Sequence, residues 1–288
     1  MISGGRVENI IAGQGLDTLD FSAEVGDQWV TLSSTGSGDG FAGTSSGLMG
    51  TFDNLNTLIG GVGNDTLSGL NAVSTFNLQP AIGEYISTNA LTFTSFEALL
   101  GGSETDTFAI NGIVAFNLNG NAGDDILHFN DGAALAGAFD GGSGMDTLNF
   151  QGNASGRTVA LTGLGSKDGF AGNAPGGTFN NVDRLIGGNA TSDALTGLDA
   201  PANWMLDNGI SYYISTNALA FSDIELLTGG ADADTFAFGD GAALSGTLNG
   251  AGGVNVLNYS AYSSGVNVDL DLGTATGTVG IANITNLI

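Results

Sequence analysis

A glycine-aspartate turn recurs along this chain at intervals near one or two lengths of about 20 residues, and few folds accommodate such a pattern. Gly60-Gly61-Val62-Gly63-Asn64-Asp65-Thr66-Leu67 and Gly141-Gly142-Ser143-Gly144-Met145-Asp146-Thr147-Leu148 read G-G-x-G-x-D-x-L at every fixed position. Weaker copies place an aspartate, or one asparagine, at 17, 65, 106, 125, 146, 193, 234 and 255. The steps are 48, 41, 19, 21, 47, 41 and 21. A period of this kind predicts a solenoid, in which each coil is too small to bury its apolar face alone and must stack on its neighbours.

A longer repeat contains the short one. Tyr85 to Ile110 aligns with Tyr213 to Phe238 at an offset of 128, with 16 identities in 26 positions. Asp17-Thr18-Leu19 aligns with Asp146-Thr147-Leu148, and Asp39-Gly40-Phe41 with Asp168-Gly169-Phe170, both at 129. Phe129 to Leu135 matches Phe238 to Leu244 at only 109. The difference between 128 and 109 is 19 residues, which is one coil. We read residues 1–288 as a single continuous domain with long repeats over 16–144 and 145–257 and a partial third over 258–288.

Between turns the pattern is that of strands. Val114, Phe116 and Leu118 alternate with small or polar residues, as do Val266, Val268, Leu270 and Leu272. Period two places the apolar set on one face. No stretch reads as a helix of ten residues or more. The sequence therefore predicts an all-β, right-handed parallel β-solenoid with coils of about 20 residues. Stacked at strand spacing, about 14 coils would span roughly 65 Å. Ser33 to Gly50 and Gly163 to Gly177, rich in Gly, Ser and Ala, read as loops interrupting the coils.

Composition narrows the function. Four basic residues stand against 29 acidic ones, a net charge of −25. Phosphate contacts need Lys and Arg, so nucleic acid is excluded as a partner, and cations are favoured. There is no cysteine, which removes disulfides, thiolate metal sites and thiol nucleophiles. No apolar run approaches the ~20 residues of a membrane span. Met1 to Arg6 lacks the basic-then-apolar character of a signal peptide.

The turn itself carries candidate chemistry. Glycines at positive φ bring carbonyls close to one point, and the aspartate adds charged oxygen. Oxygen-rich sites of this kind suit Ca²⁺. The candidate ligands are Asp106, Asp124, Asp125 and Asp146 with Gly142 and Gly144, where three turns recur in consecutive coils. Asp65 with Gly61 and Gly63, and Asp234, are the outlying candidates. The competing reading is that Asp and Asn close a turn with their own side chains and need no metal.

These turns resemble the haemolysin-type (RTX) calcium-binding repeat of secreted bacterial proteins, and the wider pattern resembles the β-strand-repeat regions of large bacterial surface and adhesin-like proteins. The resemblance implies parallel β-rolls, calcium between turns, and an extracellular or cell-surface location. Here the motif recurs near 20 residues rather than nine, and Glu104 and Asp232 stand at the third glycine.

No catalytic constellation stands out. His128 is the one histidine, and a triad needs a base that nothing else supplies at neutral pH. Tyr212 and Tyr213 near Asp207 are the best candidates for an enzyme of the β-helix type. Trp29, Trp204, Phe41 and Phe170 read as core or loop anchors, with a sugar-stacking platform as the alternative. The chain stops just before a Gly-Gly turn falls due. That fits either a segment of a longer array or subunits that associate end to end. The reading is not an enzyme but a structural rod of a surface adhesin, biofilm matrix or filament, stiffened by calcium. A polysaccharide-binding or polysaccharide-modifying β-helix is the alternative, and a cell-surface or polysaccharide ligand would be its partner.

Overall fold

The computed structural model describes residues 9–288; the N-terminal reading at Met1 to Arg6 falls outside them. Among the described residues there is no helix, and 34 strands account for the regular structure. Thirty of them form two 15-stranded sheets. The others form two small pairs, Ile113–Val114 with Ala134–Leu135 and Val268–Asp269 with Thr274–Ala275. The chain crosses from one large sheet to the other at the Gly-Asp turns and at other bends, as between Leu55 and Thr57. This architecture is consistent with a β-solenoid.

The chain divides into two compact units. One runs to His128 and includes Ala133–Gly144; the other comprises Phe129–Gly132 and Met145–Ile288. The break at Gly144 coincides with the start of the second long repeat.

In the first unit, successive passes pair in parallel so that like side chains lie over like. Leu67 pairs with Leu99, Leu99 with Leu118, and Leu118 with Phe139. All four are buried. On the facing sheet Phe76 pairs with Phe108, their rings stacked at 4.9 Å. The second unit repeats the scheme with Leu195, Leu227, Leu248 and Ile281 in one column and Trp204, Phe236 and Leu257 in the other. Each such side chain contributes about 1.5–3 kcal/mol of burial, but only when a coil lies on either side of it. Alternation along each strand sends the other residues outward, as in Asp106–Ile110, where buried and half-buried positions alternate.

The structure departs from the expected pattern of uniform parallel coils. Four three-stranded antiparallel meanders are built into the sheets. In the first unit they are Trp29–Thr35, Phe41–Ser45 and Thr51–Leu55, then Ser74–Leu78, Gly83–Ile86 and Ala90–Thr94. In the second they are Thr158–Leu164, Phe170–Ala174 and Gly177–Val182, then Ala202–Leu206, Ser211–Ile214 and Ala218–Ser222. The segments Ser33 to Gly50 and Gly163 to Gly177, read as loops, keep bends and turns but also carry the central meander strands Phe41–Ser45 and Phe170–Ala174. Each interval of 41 to 48 residues between turn aspartates contains one meander, and the intervals of 19 and 21 contain none. Gly43 and Gly172 show why glycine-rich sequence suits this pairing: a Cβ at either would overlap the carbonyl of Thr31 or Ala160 and a phenylalanine ring.

A second departure is local. Val266 to Leu272 alternates as a core strand should, yet only Val268–Asp269 is extended, and Leu270 and Leu272 are exposed. Its sole partner is the short strand Thr274–Ala275. Two residues against two offer no second layer for the apolar face to pack on.

Candidate metal centre and the stacked turns

The turn aspartates point inward. Asp65, Asp106, Asp125, Asp146 and Asp193 have no exposed surface, and Asp234 is 1% exposed. Four of these carboxylates accept a backbone N–H from their own turn. Gly61 donates to Asp65, Gly102 to Asp106 at 2.6 Å, Gly188 to Asp193 at 2.8 Å and Gly230 to Asp234 at 3.0 Å. The other oxygen often reaches a neighbouring pass. Gln28 N–H donates to Asp65 Oδ1 at 2.7 Å, Asp106 N–H to Asp125 Oδ1 at 2.7 Å, and Arg157 N–H to Asp193 Oδ1 at 2.6 Å. Bonds of this charge-assisted kind are roughly twice as strong as neutral ones. At Asp106 the Ser74 hydroxyl fills the remaining oxygen. Both oxygens of Asp65, Asp106 and Asp193 are thus occupied by protein donors. Asn255 performs the same task without charge: Oδ1 accepts Asp234 N–H at 2.9 Å, and Nδ2 donates to three backbone carbonyls.

The glycine pair has a different cause from the one its sequence suggests. Gly60 and Gly61 do not occupy positive φ. A Cβ on Gly60 would overlap the Ser95 carbonyl oxygen, and one on Gly61 the Glu24 carbonyl oxygen. The pair exists so that one pass can lie directly on another. Gly144 needs both properties, with φ +135° and the Gly123 carbonyl where a Cβ would be.

A second device locks passes together wherever a meander returns. The Asp17 carbonyl accepts the N–H groups of Asn56 and Thr57, both at 3.0 Å, while Asp17 N–H donates to Asn56 Oδ1 at 3.3 Å. Asp65 is clamped in the same way by Glu97 and Ala98, Asp146 by Asp183 and Arg184, and Asp193 by Glu225 and Leu226. In each case the clamping side chain is Asn, Asp or Glu.

One clamp gathers extra charge. Asp146, Asp168 and Asp183 each offer a carboxylate oxygen, and these oxygens lie within 4.8 Å of one another. Asp146 comes from the Gly-Asp turn. Asp168 lies between the strands Thr158–Leu164 and Phe170–Ala174. Asp183 follows Gly177–Val182, where the meander ends. The position of Asp168 is fixed by Asn181, whose Oδ1 accepts the N–H groups of Lys167 at 2.8 Å and Asp168 at 3.4 Å. Asn181 itself sits at φ +54°. Three oxygen donors at this separation could hold a metal ion, and hard divalent cations are the ions that such donors suit.

The other expected ligands lie elsewhere. Asp124 is exposed beside Gly144. The Gly142 and Gly144 turn is hydrogen-bonded to the turn at Asn121–Gly123: Ser143 N–H donates to the Asn121 carbonyl and Gly123 N–H to the Ser143 carbonyl, both at 3.0 Å. A Cβ on Gly63 would meet Asp27. Of the ten expected metal-site residues, Asp146 alone belongs to the three-aspartate group. Asp168 and Asp183 were not among them. The signal for Asp168 was present, since Asp39 and Asp168 share the 129-residue offset of Asp17 and Asp146.

Burial disfavours the charged form of several of these acids. It raises the Asp106 carboxyl above the usual carboxylate range against the opposing hydrogen bonds of Ser74 and Gly102. It does the same at Asp234, opposed by Gly230 and Trp204, and at Glu225, opposed by Asp193 N–H.

The remaining candidates for chemistry are mostly core. Phe41, Phe170, Trp204 and Tyr213 are fully buried. Tyr213 stacks edge-on to Trp204 at 4.7 Å, and its hydroxyl oxygen accepts Leu198 N–H at 3.0 Å. Tyr85 and Leu70 repeat that bond at 2.8 Å in the first unit. Trp29 and Tyr212 are exposed, and His128 is half-buried on a strand. A groove of about 240 Å³ in the second unit is lined by Asp207, Asp223 and Glu225. Its counterpart in the first unit, about 300 Å³, has Pro80, Ser95 and Glu97. No family model and no curated protein matches this chain.

Proposed function

We propose that the chain is a structural segment of a bacterial extracellular assembly: a β-solenoid rod of a surface adhesin, matrix or head-to-tail filament, stiffened by calcium. The observation that carries this reading is the use made of the turn residues. In an enzyme or a dedicated receptor, clustered acids and glycines at a loop end face a ligand. Here Asp65, Asp106, Asp193 and Asp234 accept backbone N–H groups of their own turn, and Asp65, Asp125 and Asp193 accept those of neighbouring passes. Repeated structure whose polar groups are consumed internally suits load and length, since each added pass extends the stack by the same contacts. A net charge of −25 suits a secreted protein that must stay soluble and that recruits cations.

Because protein donors occupy both oxygens of Asp65 and Asp106, calcium in this reading acts at the three-aspartate group rather than along every turn. Electron microscopy of the purified chain, with calcium and with chelator, tests the rod. Elongated particles that join end to end support it, and compact monomers under both conditions would remove it.

The polysaccharide-binding reading is supported by one feature, the groove with Asp207, Asp223 and Glu225 beside the exposed pair Met205 and Tyr212. Glycan-array binding that Tyr212→Ala abolishes would move the proposal there.

A further inference from the structure

We infer that Asn208-Gly209 is a site of spontaneous covalent modification, where the folded chain deamidates through a cyclic imide to aspartate and isoaspartate. The inference concerns the second unit alone and is independent of the rod and of calcium.

Asparagine is a thermolabile residue, and a following glycine leaves the chemistry least hindered, because no side chain shields its nitrogen. The Gly209 nitrogen, having given its proton to water, attacks Cγ of Asn208. A new N–C bond forms, the bond from Cγ to the side-chain nitrogen breaks, and ammonia leaves. Water then opens the imide at either carbonyl. One opening gives aspartate. The other gives isoaspartate, in which the main chain runs through Cγ. Water is the co-reactant, and no electrons change hands. A folded chain permits the reaction only where the glycine nitrogen is not engaged in a ladder and the pair can rotate to close the ring.

The sequence holds four such pairs, at Asn111, Asn119, Asn208 and Asn249, and the fold treats them differently. Asn119 and Asn249 end strands that are paired on both sides. Gly120 N–H donates to the Asp140 carbonyl at 2.8 Å and Gly250 N–H to the Ala282 carbonyl at 2.9 Å. Both glycines are buried. The Asn119 and Asn249 side-chain oxygens accept the N–H groups of Asn121 at 2.8 Å and Ala251 at 2.9 Å. Asn111 is held at both ends: its N–H donates to the Leu78 carbonyl at 2.8 Å and its Nδ2 to the Ala109 carbonyl at 3.1 Å.

Asn208 differs on each count. Asp207, Asn208, Gly209 and Ile210 form the bend between Ala202–Leu206 and Ser211–Ile214, and all are exposed. Gly209 N–H has no acceptor among the described residues. At Asn208 the backbone N–H is tied, to Asp207 Oδ1 at 2.8 Å, and the carboxamide is not. Gly209 sits at φ +108° with open space where a Cβ would be. A bend without ladder bonds opens at little cost. The first unit has Pro80-Ala81 at the same bend, 128 residues earlier, and proline offers no carboxamide to attack. The product changes the second unit's groove, which Asn208 lines beside Asp207, Asp223 and Glu225. Either product adds a carboxylate there, and isoaspartate also lengthens the main chain of the bend by a methylene.

Peptide mapping by mass spectrometry of the full chain, aged in mildly alkaline buffer, tests this. The peptide containing Asn208 should gain the mass difference between –NH₂ and –OH and resolve into two forms. A protein-isoaspartate methyltransferase with labelled S-adenosylmethionine should methylate the isoaspartyl form. The Asn119 and Asn249 peptides should convert about ten-fold more slowly or less, since they must wait for the ladder to open, and Asn111 should also lag behind Asn208. In urea the four pairs should convert at similar rates. Gly209→Ala should slow conversion at Asn208 by shielding the attacking nitrogen. An unconverted Asn208, one common rate for all four pairs in the folded chain, a preference for Asn208 that survives in urea, or conversion that Gly209→Ala leaves unchanged would each overturn the inference.

Discussion

The turns around Asp106 and Asp234 occupy equivalent places in the two units and are satisfied by different groups. In the first, Ser74 donates its hydroxyl to Asp106, and Phe76 lies flat on Phe108. In the second, Ala202 replaces the serine and Trp204 replaces Phe76. Trp204 stacks on Phe236 at 5.5 Å, and its indole helps hold the Asp234 carboxyl down against burial. Yet Asp234 Oδ1 and the indole N–H each lack a hydrogen bond of good geometry. The exchange adds aromatic bulk while lowering polar satisfaction. It teaches that the stack is fixed by column packing and by the own-turn N–H bond, which both units keep, and that the third donor is adjustable.

The largest effects should fall on what the units share. Gly60→Ala and Gly187→Ala each drive a Cβ into a neighbouring carbonyl, of Ser95 and of Asp223. Each should cost more than about 3 kcal/mol in chemical denaturation, as overpacking against backbone does. A substitution tolerated in one unit alone would break the equivalence.

The next effect separates the units. Asp106→Ala removes an acceptor for Gly102 N–H and Ser74, and should cost roughly 2–3 kcal/mol. Asp234→Ala loses fewer partners and should cost about 1 kcal/mol less. Equal losses would mean that Trp204 serves Asp234 as well as Ser74 serves Asp106. Asp106→Asn should be mild, because Asn255 already fills this role.

Acidity sharpens the contrast. Burial raises the carboxyls of Asp106, Asp234 and Glu225, so the folded chain holds these protons more tightly than the unfolded chain. Their contribution is fully present below the ordinary carboxylate range and is lost as pH rises through the raised values. The thermal midpoint should therefore climb as pH falls from neutral toward the ordinary carboxylate range. Asp106→Asn should flatten part of that climb. A midpoint that falls over the same interval would contradict the burial of these groups. Smallest of all, Ser74→Ala should cost about 1 kcal/mol, and Ala202→Ser should gain nothing against the bulk of Trp204.

Much of the fold was legible. The recurrence of Gly-Gly and Asp marks places where passes lie on one another, and the 128-residue offset marks the two units. The meanders were hidden because Ser33 to Gly50 has the composition of a loop, and only pairing partners distinguish an extended Gly-Ser-Thr strand from an irregular one. The direction of the aspartates was hidden for a related reason. Asp65 serves a metal or a backbone N–H with the same sequence, and the choice depends on whether Gln28 N–H lies within reach. Asp183 was invisible as a ligand because it lies 37 residues from Asp146 and meets it only after a meander returns. Leu270 and Leu272 misled because alternation predicts a face but not a layer to cover it.

The central claim is that the turn aspartates hold the stack through backbone N–H groups, with cations confined to the three-aspartate clamp. Circular dichroism of the full chain in excess chelator tests it most directly. The account predicts an intact β spectrum without metal, with a thermal midpoint that rises by only about 4 °C on adding millimolar CaCl₂. A chain that is unfolded in chelator and folds only when calcium is added would contradict it.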